Sequence, residues 1–353
     1  MSKLLPIPQF FNAANASNWN YAPKLATLRE FARDWKRQHG VLPSAAAAFQ
    51  AHLLIIDGQK DFCLPDGTLY VAGQSGTGAI DDCARTAQFI YTNANILTDI
   101  TTTMDTHFTY QIFTPSFLCY ADGSPVDANT DVSYDDVASG KIEPNKEVAS
   151  WVCGGNFPWL KAYLKHYTSE LKRTEKYQLR VWPEHTVLQS GGHALVGVLE
   201  EARMFHSYLR TVQSLCETKG GHPLTECYSV FGPEVRRTHD GRVLDDGSSR
   251  ARILKKLLSA HMLIIAGQAS SHCVASSIMD LLEYILEQSP DLAKKVYILR
   301  DCTSPVVIPG IVDFTPQADA AFAKFQNAGM HLVDSTTPIQ EWPDVDVKLL
   351  LAA

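Results

Sequence analysis

Long apolar runs are missing from this sequence. Nothing in it approaches the roughly 20 residues needed to cross a bilayer, and MSKLLPIP at positions 1–8 has none of the apolar stretch of a secretory signal. No membrane partner is expected, and the expected setting is cytoplasmic. Basic residues are also in short supply. Lys and Arg number 31 against 38 Asp and Glu, for a net charge of −7, which leaves no broad cationic surface for a phosphate backbone and excludes nucleic acid as an expected partner. Closely paired cysteines are absent too. The eight cysteines, at 63, 83, 119, 153, 216, 227, 273 and 302, show neither zinc-ribbon nor redox spacing. A chain of 353 residues with 45% hydrophobic content can bury a core without covalent staples. They read as free thiols, seven of them as small apolar packing residues and Cys273 as the exception taken up below.

What is present is an alternation of strand-like and helix-like segments. HLLIID at 52–57 and HMLIIAG at 261–267 are short, nearly continuous apolar runs that end on an acid or a glycine, as strands covered on both faces of a parallel sheet do. Further strands are expected at 96–104, 178–182, 212–217, 296–299 and 330–333. Helical periodicity fills 25–37, 196–212, 249–259 and 274–286. The pattern predicts an α/β fold with a mostly parallel sheet between helical layers. Residues 1–48 read as an N-terminal arm and 49–335 as the domain, with a polar excursion at about 120–174 that would form a lid; 336–353 read as a C-terminal tail. GQSGTG at 73–78 has the wrong order for a phosphate-binding fingerprint and reads as a turn.

In such a sheet ligands bind beyond the carboxyl ends of the strands, so chemistry is sought just after Ile56, Met104 and Ile265. Cys273 follows a strand and a small-residue turn at the start of a helix, where N–H groups and the helix dipole favour a thiolate and can hold an oxyanion. By local sequence alone it is equally a packed residue at a strand-to-helix turn. Asp57 closes an apolar strand, a costly place for a carboxylate without a partner; taken singly, it could as well cap a loop. Lys219 ends another strand, where a solvated lysine is the commoner case. Together the acid, the cation and the thiol reach one edge of the sheet from three strands, as a nucleophile, its proton acceptor and an orienting charge require.

Five motifs then carry a family resemblance. IIDGQKDF at 55–62, MDTH at 104–107, VWPEH at 181–185, KGGHPLTECYSVF at 219–231 and GQASSHCV at 267–274 resemble, in order, the motifs of the nicotinamidase and isochorismatase-like cysteine hydrolases. The resemblance implies a three-layer αβα fold on a six-stranded sheet and a triad of Asp57, Lys219 and Cys273. It implies an oxyanion hole from the N–H groups of Ala269 and Cys273, a cis peptide at Gln268–Ala269, and Phe62 and Tyr228 as substrate contacts. The activity implied is cleavage of a small, nicotinamide-like carboxamide through a thioester with release of ammonia, in a protein that forms homo-oligomers. The alternatives it leaves open are another carbamoyl or urea-type amide, isochorismatase-type hydrolysis, and a catalytically silent binding protein of the same fold.

The sequence also departs from the pattern. In nicotinamidases the MDTH-like motif continues to a further histidine four residues on, which completes a metal site. Here that position is Gln111. No cofactor is required by the implied chemistry. Asp105 and His107 remain candidates for a divalent metal ion, with Gln111 expected as an oxygen ligand. Isochorismatase-type enzymes generally lack the cysteine, so Cys273 favours the amidase branch.

Overall fold

The computed structural model describes residues 4–174, 177–245 and 247–351. Six strands form its main sheet: β1 (Ala51–Ile56), β2 (Leu97–Asp105), β3 (Leu215–Lys219), β4 (Met262–Gly267), β5 (Val296–Leu299) and β6 (His331–Val333). Their order is β6-β5-β4-β1-β2-β3, and every neighbouring pair is parallel. The principal helices are α1 (Leu25–His39), α2 (Gly78–Thr92), α3 (Phe157–Arg173), α4 (Gly197–Arg210), α5 (Ser248–Leu258), α6 (Cys273–Gln288) and α7 (Thr315–Asn327).

The period of two along β1 decides which helices it recruits. Leu53 and Ile55 join a core with Phe89 and Ile90 of α2 and Phe205 and Leu209 of α4. Leu54 and Ile56 join a second core, on the other face, with Leu254 of α5, Ile278 and Leu282 of α6 and Phe325 of α7. The result is a three-layer αβα sandwich. Because the chain runs from β1 outward to β3 and then returns to place β4 on the other side of β1, strand order reverses between β1 and β4. A crevice opens at the carboxyl ends there.

One expected strand lies elsewhere. Within 178–182 only Leu179–Arg180 is extended, and it pairs antiparallel with Asp131–Val132, apart from the main sheet. Polar and apolar residues alternate in this stretch and Pro183 closes it, which suits a short ribbon rather than a buried central strand. The excursion has secondary structure of its own. It carries an antiparallel pair, Leu118–Tyr120 with Ile142–Pro144, and α3, whose Tyr163 hydroxyl donates to Leu224 O at 2.6 Å while the Tyr167 hydroxyl accepts from Glu226 N at 3.2 Å. It braces the segment after β3. All eight cysteines are free, and Cys216, on edge strand β3, departs from the packing role by being exposed.

Residues before β1 and after β6 pack on the face formed by α2 and α4. The Phe10 ring lies 5.8 Å from Tyr91 and 5.5 Å from Phe205. Glu201 of α4 accepts hydrogen bonds from the hydroxyls of Tyr21 and Tyr91. Trp342 stacks on Phe89 at 5.9 Å and on Tyr297 at 5.3 Å. Among the described residues no helix is long and apolar enough to cross a membrane.

Phe205 is fully buried where α4 meets these N-terminal residues. Phe205→Ala should therefore cost about 3–5 kcal/mol, read as a lowered urea midpoint. It should also speed tryptic cleavage within residues 4–48, because Phe10 loses a ring it packs on.

Candidate active site

Each strand around the crevice delivers one chemical group. β1 runs into Asp57, β2 ends on Asp105, β3 ends on Lys219, and β4 leads through a short turn to Cys273, the first residue of α6. Gly267 makes that turn possible. Its φ is +115°, and a Cβ there would stand 2.0 Å from Ile56 O. The peptide Gln268–Ala269 that follows is cis. Gln268 is held from both ends, its Nε2 donating to Asp82 Oδ2 at 2.9 Å and its Oε1 accepting from Ser304 N at 3.2 Å.

The structure brings Asp57, Lys219 and Cys273 together. Lys219 Nζ stands 3.0 Å from Asp57 Oδ2 and 3.0 Å from Asp105 Oδ1. It donates to Cys227 O at 2.9 Å and reaches Cys273 Sγ at 3.5 Å. An ammonium has three N–H groups for these four neighbours, so the sulfur, the softest and most distant acceptor, shares its donor. Ligand atoms of Asp57, Asp105 and Cys273 all lie within 4.8 Å of one another. Thr103 fixes Asp57 by donating from its hydroxyl to Oδ1 while accepting from Asp57 N at 3.0 Å.

Burial sets the protonation states. It raises Asp57 above the usual carboxylate range, opposed by the Lys219 charge. Burial works against the Lys219 charge, but Asp105 and Asp57 overcome it and hold the ammonium well above its ordinary value. Cys273 differs from the expectation of a depressed thiol. Burial pushes it well up, and Asp57 and Asp105 add to that against Lys219. Burial together with the two carboxylates outweighs the ammonium, so the sulfur rests as a thiol with Asp57 beside it to take its proton.

A narrow slot opens beside the sulfur, walled by Phe62, Trp182, His185, Glu226, Tyr228 and Ala269. Phe62 packs edge-on against His185 at 5.4 Å, and the Tyr228 hydroxyl accepts from Trp182 Nε1 at 3.0 Å. Ala269 and Cys273 also line the slot, and Cys273 N belongs to the first turn of α6, where N–H groups lack intrahelical acceptors. Glu226, unremarked in the sequence, is buried here and burial raises it to about 7.

The metal expectation needs correction at one residue. Gln111 is committed to backbone: its Nε2 donates to Gly220 O at 2.9 Å and His222 O at 3.1 Å, and its Oε1 accepts from Phe108 N at 3.2 Å. Both N–H groups and one of the two acceptor positions of the amide are taken. His185 stands where a third donor is needed, forming with Asp105 and His107 a buried group whose ligand atoms lie within 4.8 Å of one another. His107 Nδ1 donates to Gly220 O at 3.1 Å and His185 Nδ1 to Pro183 O at 2.7 Å. Both imidazoles therefore turn Nε2 toward Asp105, at 3.0 Å and 3.9 Å from Oδ2. Burial pushes His185 down to about 3, leaving it neutral with a free lone pair. Two oriented imidazoles and a carboxylate fit a zinc-like divalent ion. Gly220 lies against this group with φ +84°, and a Cβ there would come within 2.5 Å of Asp105 Oδ1. The sequence signal for His185 was its place in VWPEH; for Gln59, whose side chain bonds both N and O of Asp105, it was the neighbouring IIDGQKDF.

No family model and no curated protein matches the chain. Solved structures do align with it. A nicotinamidase/pyrazinamidase of Acinetobacter baumanii is 17% identical with a TM-score of 0.48, covering 81% of this chain and 96% of its own. The yeast nicotinamidase bound to nicotinaldehyde is 16% identical at 0.49, with 80% and 99% covered. The pyrazinamidase of Pyrococcus horikoshii in complex with zinc is 17% identical at 0.42, with 80% and 98% covered.

Metal analysis separates the donors from their neighbour. Protein equilibrated with Zn(II) and desalted should carry about one ion per chain by plasma mass spectrometry. His107→Ala and His185→Ala should each lose it, whereas Gln111→Ala should retain it.

Proposed function

We propose that the protein is a cysteine-dependent amidohydrolase that cleaves the C–N bond of a small primary carboxamide, with a nicotinamide-like amide as first candidate. The observation that carries this reading is that Lys219 Nζ lies 3.0 Å from Asp57 Oδ2 and 3.5 Å from the Sγ of Cys273, a residue that lines the slot.

In the first half-reaction Asp57 takes the thiol proton of Cys273 and the sulfur attacks the carbonyl carbon, forming a C–S bond. The negative charge on oxygen is received by the N–H groups of Ala269 and Cys273. Asp57 then gives its proton to the nitrogen, the C–N bond breaks and ammonia leaves. In the second half Asp57 takes a proton from water, whose oxygen attacks the thioester; the C–S bond breaks, releasing the carboxylic acid, and the proton returns to sulfur. Lys219 keeps Asp57 ionised for each proton it accepts. Phe62 and Tyr228 are assigned to the slot wall against the substrate. Asp105, His107 and His185 would hold a divalent ion, which when bound supplies a Lewis-acidic contact for a lone pair of the substrate. A reducing, cytoplasmic setting belongs to this proposal and suits the free thiols.

Ammonia release from nicotinamide and a panel of primary amides tests it. Cys273→Ala should abolish turnover, and Asp57→Asn should lower kcat/KM by about 10²–10⁴-fold. Hydroxylamine should intercept an acyl adduct on Cys273 in the active protein alone. Turnover indifferent to Cys273→Ala would refute the proposal. Because burial raises Asp57, the acid limb of kcat/KM should lie above the ordinary carboxylate range, with activity lost as pH falls through it. Since Lys219 acts to lower Asp57, Lys219→Met should move that limb to higher pH.

A further inference from the structure

The slot beside Cys273 has a volume of about 30 Å³, room for a couple of waters or one carboxamide. Trp182, Tyr228 and His272 wall it, and the same three residues wall a second cavity of about 260 Å³. A substrate with any body beyond its amide has this larger space next to the slot.

Arg180 lines the second cavity and is built in unusually firmly. Its side chain is 6% exposed, and its guanidinium sits between two rings, 5.3 Å from the Trp182 centroid and 5.7 Å from that of Phe314. Nη1 donates to Asp131 Oδ1 at 2.7 Å. Nε is buried and has no hydrogen-bond partner among the described residues. A guanidinium presents five N–H groups in a rigid fork. Nε is covered by protein and Asp131, itself 55% exposed, takes Nη1, so a ligand in the cavity would meet the rest of the fork. The other polar lining groups, Tyr177, Gln178 and Gln317, bring no charge. Burial, with help from Arg180, pushes His272 down to about 3, so that imidazole is neutral at pH 7. Among the described lining residues Arg180 is the one cation.

We propose that this cavity is an anion subsite: the amide substrate carries a carboxylate that the Arg180 guanidinium holds, while its carboxamide occupies the slot at Cys273. The inference rests on the amidase reading for the slot and adds the substrate class. A planar monoanion fits better than a phosphate, because a single guanidinium already shared with Asp131 cannot balance a dianion.

Matched amides that differ only in the charge test this. Succinamate is compared with butyramide, and 4-carbamoylbenzoate with 4-methylbenzamide, by ammonia release. The charged member should have the higher kcat/KM by about tenfold or more, and in Arg180→Met the ratio should collapse to about one. A ratio at or below one in the unaltered protein, or one unchanged by Arg180→Met, would overturn the subsite. Calorimetric binding of 4-carbamoylbenzoate to Cys273→Ala, with and without Arg180→Met, needs no turnover. If no amide is hydrolysed but binding still weakens about tenfold with Arg180→Met, the amidase reading fails and the subsite stands. Equal binding in the two proteins overturns the subsite. Should Arg180→Met not fold, Asp131→Asn replaces it: removing the competing carboxylate should tighten 4-carbamoylbenzoate severalfold, and unchanged or weaker binding counts against the proposal. Inorganic phosphate displacing 4-carbamoylbenzoate more effectively than benzoate does would overturn the carboxylate assignment.

Discussion

Lys219 brings one positive charge to a place where Asp57 and Asp105 bring two negative ones, and none of the three is more than 8% exposed. Such a cluster is stable only as a whole. Removing one partner of a buried ion pair commonly costs about 3–5 kcal/mol, since the survivor keeps its desolvation without its Coulomb gain. The cluster therefore ties together the ends of three strands, β1, β2 and β3, and fixes the register in which they deliver their side chains. Burial is the main reason Cys273 is held as a thiol, and the cluster adds to it, for the sulfur faces two carboxylates across a single ammonium. The same charges that would switch the nucleophile on also keep it quiet until a proton moves to Asp57.

The fold around this cluster was largely legible in the sequence because its logic is repetitive. A strand buried on both faces must be apolar at nearly every position, and β1 and β4 announce themselves that way. The amphipathic helices α4, α5 and α6 followed from their period. What misled was Gln178–Trp182: its alternating pattern fits a strand in any half-buried setting, and sequence carries no mark of which sheet it joins. The bracing contacts of the excursion are hard to read for a related reason. Its polar loops dominate the composition, while Tyr163 and Tyr167, which turn it into a brace, are too few to stand out.

At the site, residues at strand ends could be found and residues that act through geometry could not. Asp57, Lys219 and Cys273 occupy places where an ordinary sheet would put something cheaper. Gln111 illustrates the opposite case. Its position relative to His107 suggested a ligand, yet three backbone groups nearby hold both donors of its amide and one of the two acceptor positions. His185 comes from a segment remote from both Asp105 and His107, and only the folded chain sets it across from them. Arg180 was invisible because its meaning lies in what surrounds it, two rings and an exposed carboxylate.

The two carbonyls that Gln111 holds, those of Gly220 and His222, belong to the stretch that follows directly from Lys219, while Gln111 itself lies four residues beyond His107. One amide thus adds two hydrogen bonds to those by which Thr106 N, His107 Nδ1 and Ile112 N already join the outgoing paths of β2 and β3, and the two paths form a single mechanical piece. Any displacement of His107 is then carried to the root of the ammonium side chain by covalent and hydrogen-bonded linkage, even when nothing occupies the space between the histidines.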